Sequence, residues 1–501
     1  MTKVYLIGAG PGDPGLLTLR GRDILSRADV LVYDYLANSD LLDFAKAGAE
    51  IIYAGKRGGE HALSQDEINL LIIKKAGEGK TVARLKGGDP FMFGRGGEEA
   101  RELALNGVPF EVVPGVTSPI AAAAYAGIPL THRSYSSSVI FAAGHEDACK
   151  QESAHNWEAL AKSGSTLVFF MGMKNLPEIC SRLLAAGLPP RTPAALIHWG
   201  TTPRHRTLVS SLKSLPGEAQ KQGFTAPSLI IVGKVVNLRE SLCWFEKKPL
   251  LGKGVVVTRS REQASNMASL LAEQGARVIQ FPTIEIHPLD SYAEARKTLG
   301  YLNSYDWVAF TSVNGVYHFF EQLHAIGLDA RALFHCKIAA IGSSTGQALK
   351  KRGLLPDFVP GRFVAESVVQ GLSALGLEGR RILIPGAKVT RDTLPEQLTR
   401  AGASVDVLPL YETRPGNARR EEILELMERG EIHCITFSSS STVNNFMALI
   451  PASVLKAHPE VKFACIGPIT AKTLEEHGFN CDFQPADYTI PALADMLARR
   501  L

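Results

Sequence analysis

Val4-Tyr5-Leu6-Ile7-Gly8-Ala9-Gly10-Pro11-Gly12-Asp13-Pro14-Gly15 opens the chain. An apolar run ends abruptly in glycine and proline, and a helical pattern follows from about Leu17 to Arg27. Val30-Leu31-Val32-Tyr33 is the next short apolar run, and Thr81-Val82-Ala83-Arg84-Leu85 and Thr166-Leu167-Val168-Phe169-Phe170 repeat the theme. Runs this short, bounded by turn residues and alternating with helical periodicity, predict buried strands in α/β layers. The first loop is not a G-x-G-x-x-G dinucleotide fingerprint, because its glycines fall at alternate positions and a proline interrupts them. Glycine here either makes a tight turn or lets backbone approach a ligand closely.

Working outward, the clearest break lies near Trp244 to Lys253, where Trp-Phe gives way to Glu-Lys-Lys-Pro and a fresh strand starts at Val255. The predicted organisation is one domain over 1–245, a linker over 246–252 and a second domain over 253–501. The second domain carries an internal repeat. Val255-Val256-Val257-Thr258 leads through a helix to Phe281-Pro282-Thr283, as Ile382-Leu383-Ile384-Pro385 leads to Leu408-Pro409-Leu410. Asp306 to Ser312 matches His433 to Ser439, Lys337 to Gly342 matches Lys462 to Gly467, and Asp357-Phe358-Val359-Pro360 matches Asp482-Phe483-Gln484-Pro485. Two copies of one unit predict two similar lobes, 253–284 plus 414–501 and 287–409, with crossovers near Pro282 and Pro409. A cleft between two such lobes is a natural ligand site.

With 501 residues, 45% hydrophobic and 21% charged, the chain has ample material for packed cores. A net charge of +4 points to neither nucleic acid nor a membrane surface. The seven cysteines are scattered without a C-x-x-C, which predicts reduced thiols, no metal site and a cytoplasmic protein. The opening run is too short for a signal peptide, and no stretch approaches 18 uninterrupted apolar residues.

Four segments carry the chemistry of the first half: the Gly8–Gly15 loop; Lys86-Gly87-Gly88-Asp89-Pro90-Phe91-Met92-Phe93-Gly94-Arg95-Gly96-Gly97-Glu98-Glu99; Val113 to Ser118 with Gly127 to Arg133; and Phe169-Phe170-Met171-Gly172. Together they closely resemble uroporphyrinogen-III C-methyltransferase, within the tetrapyrrole methylases, from about Val4 to Val236. That resemblance implies two unlike α/β lobes, a homodimer and S-adenosylmethionine folded between the lobes, released as S-adenosylhomocysteine. The implied reaction is two methylations of uroporphyrinogen III, at C2 and C7, giving precorrin-2. It also implies Asp34 as base, Lys56 as acid, and a cofactor site of Pro11, Gly87, Gly88, Asp89, Met92, Thr117, Ser118, Met171 and Gly200. Arg95 and Arg133 match positions that hold the substrate's carboxylates, with Glu98 nearby; bidentate guanidinium geometry suits that task. Without that context Asp34 would read as a helix-cap or turn aspartate. A later-acting precorrin methylase or a diphthine-type methylase is the alternative, and the unbroken Lys86–Glu99 run argues against it.

The second half resembles uroporphyrinogen-III synthase through Phe310-Thr311-Ser312, Leu410-Tyr411-Glu412-Thr413, Phe437-Ser438 and Ile466-Gly467-Pro468-Ile469-Thr470. The resemblance implies closure of hydroxymethylbilane with inversion of ring D. That is chiefly a problem of holding one reactive conformer, an orientation problem. Tyr411 is the candidate donor to the departing hydroxyl, or else an aromatic packing a hinge. Thr311, Ser312, Ser438, Lys462 and Thr470 are candidate substrate contacts, although serines at such positions are also ordinary helix caps. The non-enzyme alternative is a two-lobed ligand-binding module. Precorrin-2 leads on to sirohaem or cobalamin, and the sequence does not choose.

Overall fold

The structure is a computed structural model and describes residues 3–55, 63–144, 155–258, 261–360, 365–388, 393–415 and 420–501. By compactness the chain divides into two units, Met1–Val255 with Ser269–Val278 and Ala494–Leu501, and Val256–Ala268 with Ile279–Leu493.

The first unit opens with β1 (Val4–Gly8), β2 (Val30–Tyr33), β3 (Glu50–Tyr53), β4 (Val82–Lys86) and β5 (Phe110–Val113), in a parallel sheet ordered β3-β2-β4-β1-β5. From β1 the chain moves past β4 to reach β2. From β4 it moves past β1 to reach β5. The connections therefore diverge between β1 and β4, the place where open α/β sheets form a ligand crevice beyond the strand ends. Both glycine-rich loops emerge there. A second sheet, β6 (Val139–Ala143), β7 (Thr166–Phe170), β8 (Pro193–His198), β9 (Arg206–Ser211) and β10 (Ser228–Val232), is mixed and ordered β6-β7-β10-β8-β9. The predicted linker is firmly anchored: Phe245 and Leu250 are buried and Glu246 pairs with Arg239 at 2.6 Å.

The second half contributes β11 (Gly254–Val257), β12 (Arg277–Gln280), β13 (Ile284–His287), β14 (Trp307–Phe310), β15 (Lys337–Ala340), β16 (Arg381–Ala387), β17 (Ser404–Pro415), β18 (Cys434–Phe437) and β19 (Lys462–Cys465). Its two sheets run β12-β11-β18-β19 and β13-β17-β16-β14-β15. Each sheet thus joins the first half of one repeat to the second half of the other. The hydrogen bonds repeat as well. Ile338 N–H donates to Asp357 Oδ2 at 2.7 Å and Phe463 N–H to Asp482 Oδ2 at 2.8 Å. Ile341 N–H reaches Phe310 O, and Ile466 N–H reaches Phe437 O, both at 2.9 Å. The two connecting segments meet as a ribbon, in which Ile284–His287 pairs antiparallel with Glu412–Pro415. The lobe limits expected at 284, 287 and 414 fall inside that ribbon, because β17 continues past Pro409 instead of ending there.

Candidate active site

Beyond the ends of β1 and β4 the two glycine loops lock together. Gly88 N–H donates to Gly10 O at 2.7 Å and Gly10 N–H to Gly88 O at 3.2 Å. A side chain on Gly115 would put its Cβ 2.3 Å from Gly88 O and 2.7 Å from Gly8 Cα, so three strand ends converge where only glycine fits. Asp89 holds this junction from the side. Its Oδ2 accepts from Gly115 N–H at 2.9 Å and its Oδ1 from Phe91 N–H at 2.8 Å.

The junction floors a cavity of about 920 Å³. Asp34 and eight of the nine expected cofactor residues line it: Pro11, Gly87, Gly88, Met92, Thr117, Ser118, Met171 and Gly200. Asp89 is the exception, being turned to the loop backbone. Lys56 lies outside the described residues. Arg95 and Glu98 form an exposed pair at 2.6 Å, and Arg95 adjoins Gly94, which lines the cavity. Arg133 is exposed and absent from the cavity wall.

Backbone strain concentrates here. Among the described residues, the non-glycine positions with positive φ are Phe93 (54°), Arg95 (58°), Met171 (52°), Trp199 (45°) and Thr201 (70°). Three of them line the cavity and the other two are sequence neighbours of lining residues. Such conformations cost about 1–3 kcal/mol each and survive where function sustains them. Thr117 caps the helix Ser118–Tyr125 without making the usual side-chain bond, and it lines the cavity together with Ser118 at the helix's N-terminal end. That is a natural seat for a carboxylate, while the methionines and aromatic rings of the wall suit an apolar body. The site therefore fits a ligand with both an anionic end and a flat apolar end.

Asp34 follows β2. Its Oδ1 accepts from Leu36 N–H and its Oδ2 from Arg84, each at 3.2 Å. Arg84 and Lys86 lie on β4, both almost wholly buried, and both reach Glu99 Oε1, at 3.3 and 2.6 Å. Burial, and after it the Arg84 charge, pulls the Lys86 ammonium below its ordinary value, while Glu99 opposes them.

In the second half Tyr411 lies on β17 with its hydroxyl 3.2 Å from Ser312 Oγ and its ring beside His318. Burial raises its pKa and Ser312 works against the rise. Ser312 also caps the helix Val313–Ala325 by accepting from Gly315 N–H at 2.9 Å. Ser439 does the same for Ser440–Leu449. Thr311 and Ser438 are the residues just before these caps, at the ends of β14 and β18. Thr470 is buried in the first turn of Pro468–Glu476. Lys462 does not join them. It begins β19 and pairs with Asp482 at 3.4 Å, at the opposite end of the strands from Ser438. Four residues of strand, at about 3.3 Å each, put it roughly 13 Å away.

Two family models match the chain: tetrapyrrole (corrin/porphyrin) methylases over residues 3–216, and uroporphyrinogen-III synthase HemD over 265–495. The porphyrin biosynthesis protein HemD of Ruminiclostridium josui is 39% identical over 99% of this chain and 97% of its own. The chain belongs to the fused methylase–synthase proteins of tetrapyrrole biosynthesis. The uroporphyrinogen-III C-methyltransferase of Priestia megaterium is 54% identical to the methylase half, covering 47% of this chain and 99% of its own. Among solved structures, the Thermus thermophilus uroporphyrin-III C-methyl transferase complexed with S-adenosylhomocysteine is 38% identical, covering 47% of this chain and 99% of that one at a TM-score of 0.41.

For the methylase half, sequence reasoning missed Tyr35, Trp199 and Lys174 on the cavity wall, and the buried Arg84–Glu99 pair. Trp199 carried one signal, its place directly before the expected Gly200. For the synthase half it missed the Tyr411–Ser312 bond, which joins β17 to the cap of a helix 99 positions earlier. No helix of the described residues is long and apolar enough to cross a membrane.

Proposed function

We propose that this chain closes hydroxymethylbilane to uroporphyrinogen III and methylates that product at C2 and C7 to give precorrin-2. The observation that carries the methylase assignment is the meeting of Asp34 with the two glycine loops and Met171 on a single cavity. S-adenosylmethionine, bound there, supplies an electrophilic methyl group. The protein's own part is alignment and proton transfer. Pro11, Gly87, Gly88, Thr117, Ser118 and Gly200 seat the cofactor through backbone groups and hydroxyls, and Met92 and Met171 enclose its apolar parts. Asp34 takes the ring proton released when the macrocycle carbon gains its methyl, and general bases of this kind contribute typically 10²–10⁴-fold. Lys56 acts as the matching acid. Arg95 and Arg133 meet the substrate's carboxylates outside the cavity, and Glu98, paired with Arg95, stands beside them. In the synthase half Tyr411, poised by Ser312, donates to the departing hydroxyl, while Thr311, Ser438 and Thr470 line the bilane's path. The domains are 1–245 and 253–501. The protein works in the cytoplasm as a homodimer through the methylase half, without nucleic acid.

Anaerobic incubation with uroporphyrinogen III and S-adenosylmethionine tests the methylase assignment. A product carrying two new methyl groups is expected; recovery of unmethylated macrocycle overturns the assignment.

A further inference from the structure

The first sheet carries an arrangement that its own stability does not require. Val32 faces Arg84 across the β2–β4 pair, and Tyr33 faces Leu85. Side chains alternate along a strand, so Arg84 and Lys86 share a face with Val32 and with Asp34 just beyond it. That face is otherwise the apolar core of Val4, Leu6, Val30, Val32 and Val82. Two cations therefore sit in a hydrocarbon layer, and Glu99 reaches down from the helix Gly96–Leu105 to meet them. Replacing buried ion clusters by apolar residues of similar volume is often neutral or stabilising. A cluster kept in this place calls for a role other than holding the fold together.

Its geometry supplies one. The Arg84 guanidinium is 3% exposed and uses three of its donors in three directions. Nε donates to Glu99 Oε1 at 3.3 Å, Nη1 to Leu85 O at 3.1 Å and Nη2 to Asp34 Oδ2 at 3.2 Å. Glu99 Oε1 is fixed independently by Lys86 Nζ at 2.6 Å and Gln65 Nε2 at 3.1 Å. The charges alternate from Asp34 through Arg84 and Glu99 to Lys86 and balance. Asp34, the one member reaching the cavity, is gripped on Oδ2 by Arg84 and on Oδ1 by Leu36 N–H. We propose that Arg84 is a positioning residue that aims the Asp34 carboxylate into the cavity, itself held in place by Glu99 and Lys86. The inference rests on the reading of Asp34 as the proton acceptor. Lysine cannot replace arginine, because an ammonium on a flexible stem lacks the planar fork needed to span three fixed acceptors.

The test uses the full-length protein and compares Asp34→Asn, Arg84→Met, Arg84→Lys and the double variant Asp34→Asn/Arg84→Met. Methyl-transfer kcat is measured with uroporphyrinogen III, and S-adenosylhomocysteine affinity reports an intact cavity. Loss of aim lowers kcat of Arg84→Met on the order of 10²-fold, with S-adenosylhomocysteine affinity held within about twofold. Arg84→Lys recovers only part of that loss, and should the methionine variant fail to bind S-adenosylhomocysteine, the lysine variant carries the comparison. Because Arg84 acts through Asp34, the double variant is no slower than Asp34→Asn alone. The proposal is overturned if Arg84→Met and Arg84→Lys keep wild-type kcat while Asp34→Asn loses it. It is equally overturned if the two losses multiply in the double variant. A wild-type kcat in Asp34→Asn removes the base reading itself, a different result from either of these.

Discussion

Gly115→Ala probes the convergence of strand ends on which the cavity rests. The added Cβ falls 2.3 Å from Gly88 O, where ordinary van der Waals contact begins at 3.4 Å, so backbone must yield by about 1 Å. Neither neighbour is a flexible side chain. Gly88 O is tied to Gly10 N–H, and Gly8 ends β1 between β4 and β5. Overpacking of this sort costs about 1–3 kcal/mol, and loss of the Gly10–Gly88 pair adds about 1 kcal/mol. The combined effect is about 2–4 kcal/mol, centred on the cofactor loops. Hydrogen exchange at the Gly10 and Gly88 amides and calorimetric titration with S-adenosylhomocysteine both read it. We expect faster exchange at both amides and at least a tenfold loss of affinity, since about 1.4 kcal/mol suffices for tenfold. Gly97→Ala is the control: it is helical with no atom within 4 Å of the new Cβ, and it should be neutral or stabilising. Unchanged exchange and affinity in Gly115→Ala would refute the claim that this junction shapes the cavity.

Tyr411→Phe removes the bond to Ser312 and should cost about 1 kcal/mol of stability. If the hydroxyl donates to the leaving group, turnover of the bilane also falls on the order of 10²-fold; a stability loss without a rate loss identifies Tyr411 as a packing aromatic. Asp357→Ala and Asp482→Ala delete equivalent bonds in the two repeats, so denaturation should show losses that agree within about 1 kcal/mol, each about 1.5–3 kcal/mol; a silent member of the pair breaks the structural equivalence. Tyr305 is pushed up to about 12 by burial and then by its bond to Asp406, and Tyr411 shifts upward too. A raised folded-state value means that this contribution is constant below pH 10 and is lost as pH rises from 10 towards 12. The denaturation midpoint of the synthase half should follow that course; a rise in this window contradicts it.

Much of this site was legible because glycine leaves a mark in sequence. Gly8 and Gly115 stand where no Cβ fits, Gly88 takes a positive φ of 69°, and the loops bearing them proved to floor one cavity. The repeat was legible because equivalent hydrogen bonds impose equivalent residues, as at Asp357 and Asp482. Charged residues read less well. Arg84 and Lys86 look like the outward face of a strand, and only the fold puts Glu99 above them. Asp89 stands in an Asp-Pro-Phe run, where an aspartate readily accepts from the N–H two residues on, and its carboxylate makes that turn bond to Phe91 together with one to Gly115. Lys462 matches its repeat partner Lys337, yet a match in register does not say at which end of the strands a residue lies. The Tyr411–Ser312 bond spans 99 positions and leaves no local pattern at all.

The most direct measurement gives the purified chain hydroxymethylbilane and S-adenosylmethionine together, without oxygen, and reads product mass and isomer. The account predicts a type III macrocycle bearing two added methyl groups. Accumulation of the type I isomer, or of a type III macrocycle with no added methyl, would contradict it.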